Sequence, residues 1–158
     1  MPSGPIFRET MSDITSQQLV VFSLGSEEYA LPIAAVHEII RFTEPRSVAS
    51  EVAWIRGVIG LRGKIIPIFD LASRMELGTV DSQPGKIVIV ESGTGQVGIM
   101  VDEVEEVLTV TSLQLEDVPS ANSDSIEAIA KIEDRLVILL NPEGLFAQTP
   151  SGDELAAA

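Results

Sequence analysis

Residues 53–71 read AWIRGVIGLRGKIIPIFDL. Glycines recur at Gly57, Gly60 and Gly63, and Arg56, Arg62, Lys64 and Asp70 interrupt an apolar run. A phosphate loop needs Gly, four residues, Gly-Lys and then Ser or Thr. Counted back and forward from Gly63-Lys64, those places hold Val58 and Ile65, so the pattern fails at both ends. A dinucleotide fingerprint needs a helix after its glycines, whereas KIIPIF is strand-forming. The stretch therefore reads as a β-hairpin, with IRGVIGL and KIIPIF joined at Arg62-Gly63. The glycines are turn and bulge residues of a tightly curved sheet. Pro67 cannot donate to a ladder, so it is expected at a sheet edge or bulge.

The flanks repeat the pattern. LVVFSL (Leu19–Leu24), Gly25-Ser26 and an extended piece around Tyr29–Leu31 form one hairpin. KIVIVE (Lys86–Glu91), SGTG and QVGIMV (Gln96–Val101) form another, and Ser125–Ile132 and Arg135–Leu140 frame the turn Glu133-Asp134. ALPIAAVHEIIRF (Ala30–Phe42) lies over GIMVDEVEEVLTV (Gly98–Val110) at an offset of 68, with Glu38 on Glu106. Ile55–Asp70 lies over Ile126–Asn141 at an offset of 71. Such an internal repeat points to two small barrels of similar plan, with a changeover expected near residues 77–86. Each barrel alone is too small to bury much, so the two share apolar surface. Short helical pieces are expected at Pro32–Glu38, Leu71–Glu76, Thr111–Glu116 and Pro142–Phe146, with Asp70 and Asn141 as N-caps. Residues 1–17 and 148–158 read as loose tails around an ordered region 18–147, and Met11 offers an alternative start.

Composition narrows the chemistry. The 158 residues contain no cysteine and one histidine, which removes disulfides, thiolate catalysis and His-pair metal motifs. The net charge is −14. Residues 80–158 carry fifteen acidic and three basic side chains, against nine and seven in residues 1–79. Nucleic acid and anionic lipid both demand cationic partners, so neither is expected. No segment approaches the length of a membrane span, so direct insertion is not expected and a cytoplasmic location is the default.

Catalytic constellations are equally sparse. His37 sits among Val36, Ile39 and Ile40 and reads as a partly exposed structural histidine, and no G-x-S-x-G elbow is present. Asp102, Glu103, Glu105 and Glu106 lack the glycine and the alternating ligands of a calcium loop, and read as a solvated face. No catalytic, cofactor or metal site is expected. What remains is positive charge in an acidic protein: Arg56, Arg62, Lys64 and Arg74. Arg62, at the tip of a tight turn, reads either as an ordinary solvated arginine or as an anchor for a partner's carboxylate or carbonyl.

The stretches VVFSLGSEEYALPIAAVHEII (Val20–Ile40) and IRGVIGLRGKIIPIFDL (Ile55–Leu71), with the later VGIMVDEVEEVL and RLVILLN, resemble the CheW-type coupling proteins of bacterial chemosensory systems. The resemblance covers roughly residues 19–147. It departs where the family usually has Asn before LRG, here Gly60, and where a proline common before the RG motif is replaced around Val52, beside Trp54. The resemblance implies a mainly β fold of two SH3-like five-stranded barrels around a shared apolar core, with a few short helices and no enzymatic activity. It implies an adaptor that bridges the cytoplasmic tips of methyl-accepting chemoreceptors to the regulatory domain of the histidine kinase CheA, held at membrane receptor arrays through those partners. Residues carried over to the receptor groove or its rim are Val36, Glu38, Gly57, Arg62 and Val88. Ring assemblies that include copies of the chain itself stay open, as does service in a non-chemotactic pathway such as pilus motility or second-messenger control.

Overall fold

The computed structural model describes residues 15–49, 54–75, 84–93, 95–117 and 124–147. Eleven strands in those segments form two sheets. The first hairpin is β1 (Ser16–Leu24) and β2 (Glu27–Pro32); a 3-10 turn at Ile33–Ala35 leads into β3 (Val36–Arg41). The quoted stretch is β4 (Ile55–Leu61) and β5 (Lys64–Phe69), followed by the short helix α1 (Leu71–Arg74). The second half repeats this order. Hairpin β6 (Lys86–Ser92) and β7 (Gly95–Val101) leads to β8 (Glu103–Thr111). A 3-10 turn and the two-residue β9 (Leu115–Glu116) precede hairpin β10 (Ile126–Ile132) and β11 (Arg135–Leu140), then α2 (Pro142–Leu145).

The repeat is real, but its halves are not the barrels. One sheet runs β8-β1-β2-β11-β10-β9 and the other β3-β6-β7-β5-β4, two small SH3-like barrels of which the first gains a sixth, minimal strand. Each half keeps its first hairpin in one barrel and sends its remaining strands to the other, three in the first half and four, with the minimal β9, in the second. The chain changes barrel at Ile33–Ala35 and again at Asp102. The expected changeover near 77–86 is thus corrected, because β5 before it and β6 after it lie in the same sheet; residues 76–83 themselves lie outside the described residues. The expected helix at Pro32–Glu38 is corrected too. Only the 3-10 turn forms, since Val36–Arg41, rich in β-branched residues, pairs with β6. Likewise Thr111–Glu116 yields a 3-10 turn with a Thr111–Gln114 capping box rather than an α-helix. β1 starts at Ser16, inside the expected tail 1–17; residues 1–14 and 148–158 lie outside the described residues.

Local geometry obeys the repeat in detail. Parallel pairing places Ile68 against Gly98 in one barrel and the equivalent Leu139 against Ala30 in the other. Register shifts fall at Ile55/Gly57 and at the equivalent Ile126/Ala128. The two turn residues Arg62 and Glu133 both adopt positive φ, 50° and 55°, as two-residue hairpins require. Pro67 lies in an interior strand rather than at an edge. It is opposite Val58, whose N–H and C=O both bond to Arg46 on the outer side. Pro67 therefore occupies a non-hydrogen-bonded pair, and pairing to β7 begins one residue later, at Ile68, so its missing donor breaks no ladder bond. Asp70 caps α1 through its side chain, accepting from the Ser73 N–H, whereas Asn141 makes no such bond to α2.

Three apolar clusters follow from this exchange. Leu19, Val21, Val110, Val137 and Leu139 fill the first barrel. Ile59, Ile66, Ile68, Ile87 and Ile89 fill the second. The largest cluster joins them, combining Phe22, Tyr29 and Leu31 with Phe69, Val88, Val90, Ile99, Leu140 and Phe146. Phe146 packs edge-on against Phe69, ring centroids 5.1 Å apart, so the residue after α2 locks onto β5 of the second barrel.

Candidate functional site

The turn Arg62-Gly63 projects from one edge of the second barrel, and β3 forms the opposite edge. The Arg62 guanidinium donates to a carboxylate oxygen of Glu38 in β3, so the ion pair closes the barrel edge to edge. This bond holds the Glu38 carboxyl below the usual value of 4.5, opposed by partial desolvation and assisted by the Arg62 and His37 charges. The same bond raises the Arg62 guanidinium. His37, displaced by the register shift between Val36 and Glu38, places Nδ1 3.3 Å from a Glu91 oxygen and Nε2 3.8 Å from Glu38. Arg62 is two-thirds exposed at its side chain, and only its Nη1 is engaged with Glu38, leaving donors of its planar fork toward solvent.

The first barrel carries a matching clasp. Arg135 forks onto Glu28, Nε to Oε1 at 3.1 Å and Nη2 to Oε2 at 2.9 Å, and reaches Glu106 with Nη1 at 2.9 Å. Glu106 is the residue the repeat lays over Glu38. The Glu28 bond is the main reason the Arg135 guanidinium is raised. The two clasps differ in accessibility: Arg135 is half as exposed as Arg62, with both its partner carboxylates committed.

The structure brings Val36, Glu38 and Arg62 together and separates the other two residues. Val36 is half-buried beside Glu38 and packs on the shared cluster. Gly57 is buried under the Pro45-Arg46 segment, with φ at +152°; a Cβ there would meet the Arg46 carbonyl oxygen at 2.1 Å. Val88 is fully buried within the shared cluster and offers no surface to a partner. These two residues frame the rim from inside. His37 and Glu91 belong to the cluster but escape sequence reasoning, because the β3–β6 register that joins them spans some fifty residues. Around the rim, Ile39 and Ile65 leave apolar surface exposed. The arrangement is an exposed ion pair, Glu38 with Arg62, beside the apolar side chains of Ile39 and Ile65.

The CheW-like domain family matches residues 18–149. The chain belongs to the CheW family. This CheW-family chain is 33% identical over 140 residues to a probable chemotaxis protein CheW of Rhizobium etli, covering 85% of this chain and 90% of that one. It is 32% identical to the chemotaxis protein CheW of Klebsiella aerogenes, over 91% of this chain and 87% of the relative. Among solved structures, the scaffolding protein TtCheW of Thermoanaerobacter tengcongensis superposes with a TM-score of 0.78 at 32% identity, covering 89% of this chain and 94% of that one. The strand exchange between barrels is thus the architecture of a CheW-type scaffold. Among the described residues no helix is long and apolar enough to cross a membrane.

Proposed function

We propose that this chain is a non-enzymatic adaptor that couples methyl-accepting chemoreceptors to the histidine kinase CheA in bacterial chemotaxis. The observation that carries the reading is the Glu38–Arg62 clasp, exposed and only partly committed, beside half-buried Val36. A receptor helix laid on this rim buries apolar side chains on Val36 and its neighbours, and takes its register from the charges of Glu38 and Arg62. Gly57 and Val88 serve the same site indirectly, Gly57 by admitting the Arg46 segment and Val88 by filling the core beneath β3. The kinase regulatory domain, of the same two-barrel plan, meets other apolar edges of the barrels. The adaptor works in the cytoplasm and reaches the membrane array only through these partners.

Co-sedimentation with a receptor signalling fragment and CheA tests this. A ternary complex at micromolar concentrations is expected, and its absence refutes the reading. Arg62→Glu reverses the clasp and should weaken receptor binding about tenfold or more, while an exposed pair contributes little to folding. Loss of binding matched by an equal loss of folded protein would overturn the role given to Arg62. A second setting for the same surfaces is a non-chemotactic pathway. Protein PilI of Pseudomonas aeruginosa matches at 28% identity over 85 residues, and partners recovered from native cells decide between the two.

A further inference from the structure

The repeat ends each half in a short helix, and a cleft of about 500 Å³ opens beside α1 and α2. Trp54 and Arg74 form one wall; Asp124, Asn141, Glu143 and Ala147 contribute to the rest. The Arg74 guanidinium lies over the indole of Trp54, 5.1 Å from the ring centroid, which fixes both groups. Each nevertheless keeps a buried donor, Trp54 Nε1 and Arg74 Nε, with no acceptor among the described residues. Arg56, Arg62 and Arg135 all hold carboxylates. Asn141 also leaves its side chain uncommitted to the cap of α2. Buried donors without acceptors are costly and uncommon in folded proteins, so two in one cleft call for an acceptor from outside it.

We propose that this cleft is a carboxylate-binding site. An arginine and an indole on one lining, each with an unpaired donor, suit a planar group with two acceptor oxygens. Asp124 and Glu143 on the same lining oppose a second negative charge, which selects a carboxylate over a phosphate dianion. Two sources supply such a group. One is an Asp or Glu side chain of a partner protein. The other is the chain's own sequence beyond Ala147, QTPSGDELAAA, with Asp153 and Glu154.

Trp54 is the only tryptophan in the chain, so its fluorescence reports the cleft directly. Full-length protein is titrated with N-acetylglutamate and N-acetylglutamine, both as their α-amides so that the first carries one carboxylate and the second none, and with inorganic phosphate. N-acetylglutamate should give a saturable change at millimolar concentration, and the other two should bind about tenfold more weakly or not at all. Arg74→Gln should abolish the saturable response while leaving the melting temperature and circular dichroism unchanged. Glu143→Gln, an exposed position, should tighten N-acetylglutamate binding and weaken the discrimination against phosphate, a readout that does not depend on how Arg74→Gln folds. A purely linear response, equal responses to all three probes, or indifference to both substitutions would overturn the proposal. In the full-length Asp153→Asn/Glu154→Gln protein, tighter N-acetylglutamate binding identifies the chain's own carboxylates as the resident group. Unchanged affinity assigns the site to a partner's side chain.

Discussion

Replacing Gly57 with alanine isolates the one backbone contact on which the candidate rim rests. The new Cβ would lie 2.1 Å from the Arg46 carbonyl oxygen and 2.7 Å from its carbon. A backbone carbonyl has no rotamer to escape into, so the Arg46 segment must lift away. Doing so breaks the two bonds that tie it to β4, Arg46 N–H to Val58 O at 2.8 Å and Val58 N–H to Arg46 O at 2.9 Å. Each is worth about 0.5–1.5 kcal/mol net, and holding a non-glycine residue at a φ of +152° adds about 1–3 kcal/mol. The total is about 2–6 kcal/mol out of the roughly 5–15 kcal/mol that a domain has. At roughly 2–4 °C per kcal/mol for a chain of this size, the melting temperature should fall by about 4–24 °C. The molecule contains its own control. Ala128 occupies the equivalent register shift in the first barrel and already carries a Cβ. Ala128→Gly should therefore cost only about 1–2 kcal/mol, from lost burial and added chain freedom. Thermal melts of both variants by circular dichroism decide the matter. A Gly57→Ala protein that melts within a few degrees of wild type, or no lower than Ala128→Gly, refutes the reasoning.

Three further outcomes follow from the same structure. Because the Arg62 bond depresses the Glu38 carboxyl below 4.5, the clasp is complete above that pH and is lost as pH falls through the lowered value. The difference in melting temperature between wild type and Arg62→Gln should accordingly shrink as pH falls below 4.5 and vanish once the Glu38 carboxyl is protonated, and a gap that does not shrink on acidification contradicts the clasp. Burial, aided by the Glu27 carboxylate, pushes the phenol of Tyr29 up to about 12. Its contribution is intact below 10.0 and lost as pH rises from there through 12, so ultraviolet titration of this single tyrosine should show no normal ionisation near pH 10 in folded protein. Phe146→Ala removes a buried ring stacked edge-on against Phe69 and should cost about 3–5 kcal/mol in urea denaturation, and a loss under 1 kcal/mol would show that the residue after α2 does not lock the barrels.

Local features were legible in the sequence because their causes are local. Glycine and short polar turns mark every hairpin, and the offset of 71 aligns the two turns at Arg62 and Glu133, which the structure finds alike in their positive φ and in the register shifts of their hairpins. Which barrel each strand joins was not legible. β3 could pair with its own hairpin or with β6, and only the burial of the shared cluster chooses β6. Pro67 misled for a related reason: its tolerance depends on the register of two partner strands, not on its own neighbours. At the candidate site, the fold brings Glu38 and Arg62 together across the sheet, a pairing with no local signal, and Val88 reads the same whether it faces inward or outward. Alternation cannot settle that in a run such as KIVIV, buried on both faces. The Trp54–Arg74 pair leaves no sequence signature, since the two residues approach only after the second hairpin of the first half has folded back.

The exchange of strands has a mechanical consequence. β2 and β3 are joined through a three-residue turn yet hydrogen-bonded into different sheets, and β7 and β8 are joined in the same way through Asp102. A pull on β3 at the rim is therefore borne by covalent bonds leading straight into the opposite barrel, with no flexible tether to absorb it. Two such bridges running in opposite senses make the pair of barrels behave as one stiff block. A displacement imposed on one barrel is then passed to the other rather than dissipating at a hinge.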